Sequence, residues 1–200
     1  MKADLKFIDH NFYGSRPVEV VLAMKDSQHS FYDIDMMKKV EEIENYLKDS
    51  LKVGSVISPI SLFKGANKAF HGGENSWFRI PDSVQQVSRF AEAIYQTEYA
   101  DEMQRWMLQD GSSARISGRL ADVGSKEFNL LSQKFDHFFS DHKYAQSFSY
   151  KFTGPAVLFD KIMSVAFKKL LIKFIVCLGL CLLAFLWLLN PASNKNHLAN

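Results

Sequence analysis

Six histidines and two cysteines are the side chains with the widest chemical reach in this chain of 200 residues, and their spacing limits what they can do. Only His137 and His142 lie near each other. Five apart, they do not share a helix face as a pair four apart would, so they form no metal-ligand motif. His71-Gly72-Gly73 has the composition of an esterase oxyanion loop, but no Gly-x-Ser-x-Gly turn supplies a nucleophile. The tripeptide reads instead as a flexible loop. No phosphate-cradling glycine loop or Walker lysine occurs. Cys177 and Cys181 are four apart inside an apolar run, where they pack as small apolar side chains on one helix face. No catalytic, cofactor-binding or metal residues follow from these patterns, no enzyme activity is expected, and substrate-binding residues are unknown.

The elements that would position such groups follow from the hydrophobic pattern. After the turn-like Tyr13–Pro17, the β-branched run Val18–Met24 predicts a strand. Asp33 is placed to cap a helix in which Ile34, Met37, Val40, Ile43 and Leu47 recur every three or four residues. Lys38, Lys39, Glu41, Glu42 and Lys48 face outward on it, and its acidic residues read as a solvated face. Lys52–Ser58 predicts a second strand. Residues 59–97 read as a helical insertion, two helices around the polar loop His71–Trp77, with Val84, Val87, Ala91 and Ile94 on one face of the second helix and Pro81 and Asp82 at its start.

Asp110-Gly111 between Glu102–Leu108 and Ala114–Leu120 signals a β-hairpin, so both flanking runs are expected to be strands. Ser125 is placed to cap a helix bearing Phe128, Leu131, Phe135 and Phe138 on one face. These aromatics, with Phe139, read as core. Phe148, Tyr150 and Phe152 alternate in a last strand within Gln146–Gly154. The expected fold class is α+β, a ferredoxin-like split β-α-β domain over 1–155 with a helical insertion, followed by one C-terminal transmembrane helix.

The C-terminal part is the most constrained. Leu170–Leu189 holds one charge, Lys173, and reaches roughly 30 Å, about one bilayer core. Lys173 lies near one end, where it can snorkel, and Trp187 sits near the other, where an indole favours the interface. Residues 156–169 are expected to connect domain and span as a helix continuous with both, and 190–200 to form a polar tail. The first fourteen residues lack a secretory apolar stretch, so nothing before this helix is expected to direct export. Lys plus Arg number 24 against 22 Asp plus Glu, with no basic stripe interleaved with aromatics, which argues against a nucleic-acid partner.

Four stretches in order carry a family resemblance: Asn11–Leu22, Val53–Gly73, Met107–Glu127 and Phe152–Ile162. Together they resemble the porter-domain loop of resistance-nodulation-division (RND) permeases, in the branch of MMPL-like and hydrophobe exporters. In the first, Tyr13 replaces a glycine of the family pattern; in the others the likeness lies in a Val-x-Ser-Val strand with a Lys-x-x-Asn helix, an Ala-Arg-Ile strand, and a Thr-Gly element before the span. The resemblance implies an extracytoplasmic porter domain with the second transmembrane helix of a proton-driven exporter of lipids or other hydrophobic compounds, in a bacterial inner membrane. Its implied partners are the bilayer, a hydrophobic or lipid substrate and the remaining helices of a full-length permease. It carries over no proton-relay residue.

One observation opposes that orientation. Lys161, Lys168, Lys169 and Lys173 precede the span while Lys195 alone follows it, so the positive-inside rule places the domain in the cytoplasm. The alternative is a self-contained, C-terminally anchored binding or scaffold protein.

Overall fold

The computed structural model describes residues 14–98, 100–121 and 124–189; within these, the side chains at 125, 156, 159–161, 163–164 and 188–189 are left undescribed. Asn11–Tyr13 of the first motif, Lys195 and the tail from 190 lie outside the described residues. The chain divides into two compact units between Val157 and Leu158.

The first unit is built on a four-stranded antiparallel sheet of β1 (Arg16–Met24), β2 (Gly54–Ile57), β3 (Ser113–Leu120) and β4 (Phe148–Thr153), in the order β2-β3-β1-β4. β1 lies inside, paired to β3 from Arg16 opposite Leu120 to Ala23 opposite Ser113, and to β4 from Glu19 opposite Thr153 to Met24 opposite Phe148. The period-two pattern sets which face is buried: Val18, Val20 and Leu22 are buried on β1, and on β3 so are Ala114 and Ile116, opposite Leu22 and Val20, and Leu120. Each such aliphatic side chain contributes about 1.5–3 kcal/mol on burial. β2 is short and irregular, with a register shift between Gly54 and Ile57 and Ser55 at φ 49°.

Helix α1 (Ile34–Asp49) adds Met37, Val40, Ile43 and Leu47 to the same core, as its spacing predicts. Two details differ from expectation. Asp33 occupies the cap position but makes no side-chain bond to the first turn; its carboxylate accepts from the Ser30 N–H at 3.0 Å, and His29 Nδ1 lies 3.3 Å away. The acidic face is also not wholly solvated, because Glu44 is 1% exposed. It sits four residues after Val40 and three before Leu47, which turns it into the apolar stripe. There Ser61 Oγ donates to it at 3.3 Å and Lys48 Nζ lies 3.8 Å away, while Glu41 pairs with Lys64.

Helices α2 (Pro59–Phe70) and α3 (Val84–Tyr95) form where expected. Ser58 Oγ accepts from the Ile60 N–H at 3.0 Å, with Pro59 at the first position. At α3 the cap is Ser83, one residue beyond Asp82: its Oγ accepts from the Gln86 N–H at 3.3 Å, and Gln86 Oε1 reaches back to the Asp82 N–H at 3.0 Å. The polar loop between them carries a 3-10 turn at Asn75–Trp77. His71 stacks on Trp77 at 3.7 Å between ring centroids, and Arg79 grips Asp82 through two bonds of 2.8 and 2.9 Å.

The expected strand over Glu102–Leu108 is not formed; α4 (Ala100–Trp106) occupies most of it. Ala, Glu, Met, Gln and Arg are strong helix formers, with Asp101 and Glu102 at the positive end of the helix and Arg105 at its negative end. The Asp-Gly turn itself is present. The Gly111 N–H donates to Leu108 O at 2.8 Å, and one bridge, Met107 opposite Ala114, is all that forms of the expected hairpin.

α5 (Gly124–Asp141) begins one residue before Ser125, which therefore falls inside the first turn. Its Phe135 is fully buried among Tyr46, Phe138, Phe139, Tyr150 and Phe152, so the expected aromatic face is core. A short α6 (Tyr144–Ser147) leads into β4. The Tyr144 hydroxyl donates to Glu42 and the Tyr150 hydroxyl to Asp136, tying this layer to α1 and to α5.

The last helix, α7 (Pro155–Leu189), is unbroken for 35 residues. Within it Val165–Trp187 is long and apolar enough to cross a membrane, starting earlier than the expected Leu170. Its large apolar side chains are exposed, Leu170 and Leu183 at 65% each, so no protein core explains them among the described residues.

Candidate functional site

An apolar concavity lies in the helical layer. α2 brings Gly65, Ala66 and Ala69 to one face, α3 brings Ala93, and these small residues leave a trough between the two helices. A Cβ added at Gly65 would meet nothing within 4 Å, so the space above it is open. Met103 of α4, 2% exposed, and the buried Phe90 are the deepest side chains lining it, and Phe70 stacks on Phe90 at 4.7 Å. Trp106 and Leu62 also line the groove. Glu102 is its only charged residue and is exposed. The volume, about 470 Å³, lies in the range of small-molecule sites, and the lining fits an apolar guest with a polar end near Glu102.

On the other side of α3 is a smaller, polar notch of about 340 Å³, lined by Tyr32, Glu92, Tyr95, Gln96 and Gln109 among others. The two tyrosine hydroxyls are 3.4 Å apart; Tyr32 donates to Gln109 O at 3.1 Å and Tyr95 to Met107 O at 3.4 Å. Burial, and then the hydrogen bond to Tyr95, push the Tyr32 phenol well above its ordinary pKa. Both hydroxyls are held by backbone carbonyls. The notch therefore has the character of a structural seam between α3 and the turn at Asp110.

The residues that drew attention in the sequence are kept apart. His71 Nδ1 bonds Asn67 O at 2.8 Å, Gly72 and Gly73 take positive φ of 73° and 84°, and the loop's serine, Ser76, donates to Glu74 at 3.4 Å. His142 Nδ1 bonds Phe138 O at 2.9 Å, while His137 is exposed on α5. Cys177 and Cys181 are exposed on α7. Among the described residues no three His, Cys, Asp or Glu side chains come together as a metal site. The groove escaped the sequence reading, although the small residues at 65, 66, 69 and 93 inside amphipathic helices were its visible signal.

Compared with family models, curated proteins and solved structures, the chain finds no match in any of the three.

Proposed function

We propose that the chain supplies a ferredoxin-like porter domain and its adjoining membrane helix to an RND-type exporter of lipids or other hydrophobic compounds. The observation that carries this reading is the sheet order β2-β3-β1-β4, two interleaved β-α-β units whose first strands are neighbours, interrupted by a helical excursion with an apolar groove. The groove gives such a domain a surface on which an apolar substrate could rest. The helix Val165–Trp187 supplies the membrane attachment that the reading requires.

The lysines at 168, 169 and 173 favour a second reading, a cytoplasmic domain anchored by its C-terminal helix that recruits a partner to the membrane. Labelling of an introduced cysteine at the exposed Ser76 in intact cells separates the two, with Cys177 and Cys181 replaced by alanine. Reaction with an impermeant maleimide supports the porter placement; protection that is lifted only by permeabilising the cells supports the cytoplasmic anchor. The coding sequence on either side of this chain is the companion test. Multi-span apolar segments there support the permease, and their absence in every frame would count against it.

A further inference from the structure

At the N-terminal end of the apolar helix, three lysines form no ion pair among the described residues. Lys168, Lys169 and Lys173 are exposed, and the only acid in residues 155–189 is Asp160, two helical turns away from Lys168. At about 100° per residue the three lie within an arc of roughly 140°, on one side of α7. Lys169 and Lys173 are four apart, the spacing at which like charges repel on a helix.

Depth explains how they remain there. If Trp187 marks one edge of the hydrocarbon, a core of about 30 Å ends near Lys168, which leaves the Lys173 backbone roughly 7 Å inside it. Helical side chains lean toward the N-terminus, which for this helix is the direction of the nearer headgroups. Lys173 therefore snorkels toward Lys169 rather than away from it, and two ammonium groups reach one depth with no acidic residue of α7 beside them. An anion shared between them relieves that repulsion. At this depth the anion at hand is the phosphate of a lipid headgroup.

We infer that Lys169 and Lys173, flanked by Lys168, form a headgroup site for an anionic phospholipid in the leaflet next to the domain. The inference rests on the reading that Val165–Trp187 crosses a bilayer, and insertion can be measured separately. A juxtamembrane lysine strengthens binding to an anionic surface by about fivefold, so the pair carries about 30-fold.

The test uses the full chain in mixed vesicles of phosphatidylcholine with phosphatidylglycerol, extracted into mild detergent, with the retained lipid identified by native mass spectrometry. The wild type is expected to retain phosphatidylglycerol over phosphatidylcholine. The preference is expected to drop about 30-fold in K169Q/K173Q and to persist in K169R/K173R. Resistance to alkaline carbonate extraction reports whether each variant still inserts, so loss of the span reading and loss of the lipid site are distinguishable. Equal retention of the two lipids by the wild type, or an unchanged preference in the inserted K169Q/K173Q, overturns the inference. So does displacement of the lipid by millimolar inorganic phosphate, which would mark a site for free anions.

Discussion

Gly118 in β3 is the position where a single methyl group has the most legible consequence. A Cβ built there would lie 2.4 Å from Val53 Cγ1 and 3.2 Å from Gly54 O, so Gly118→Ala drives a methyl into the segment that begins β2. Val53 is buried, and its β-branched side chain cannot swing aside without leaving its rotamer. Overpacking of this kind costs about 1–3 kcal/mol, while replacing a flexible glycine in a strand returns about 0.5–1 kcal/mol. The net loss expected is about 1–2 kcal/mol. Val53→Ala alone removes two buried methyls and costs about 2 kcal/mol. Together the two changes are not expected to add, because the second removes the atom that the first strikes. Gly118→Ala made in the Val53→Ala background should be neutral or stabilising, a coupling of about 1–2 kcal/mol. Urea titration of the full chain in mild detergent measures this, with Trp187→Phe in every variant so that Trp77 and Trp106 report the domain. Additivity within about 0.5 kcal/mol would refute the close packing of Gly118 against Val53.

Phe135→Ala removes the ring at the centre of the aromatic cluster and should cost about 3–5 kcal/mol, read as a large fall in melting temperature. The Tyr144 and Tyr150 phenols titrate well above their ordinary range, through burial first and then through bonds to Glu42 and Asp136. A raised folded-state pKa stabilises below the unfolded value near 10 and is lost as pH climbs toward the folded one, so melting temperature should hold to about pH 10 and fall above it. Y144F/Y150F should flatten that alkaline decline. Ala93→Trp fills the apolar groove and should weaken binding of a fluorescent fatty-alcohol analogue at least tenfold; unchanged binding with the fold intact would show that the probe sits elsewhere.

Much of this architecture is written in local patterns. Val18–Met24, the stripe from Ile34 to Leu47 and the alternation of Phe148, Tyr150 and Phe152 each report one face of one element, and each element forms there. What escaped depended on partners distant in sequence. The Asp110-Gly111 turn is formed, but a turn signal does not say how long its flanking strands are, and strong helix formers turn Ala100–Trp106 into α4, leaving one bridge. Glu44 looks solvent-facing by residue type and is buried because α2 lies across it. The groove is a space between three helices, and no single segment encodes a space; only the cluster of small residues at 65, 66, 69 and 93 hints at it.

The strand order also sets the time at which this domain can exist. No two paired strands are close in the chain: even the nearest strand partners, Ile57 and Ser117, are separated by three helices, and β1 pairs with the last strand, Glu19 opposite Thr153. Closure of a long loop must precede every rung between the four strands, which makes such a sheet slow to assemble. During synthesis β1 waits for β4, and the apolar helix starting at Val165 follows β4 almost at once. Until β4 has been made, one edge of β1 and the apolar face of the sheet stay open, and the growing chain is most exposed to misassembly through that interval. A holdase acting on the growing chain would have its greatest effect there.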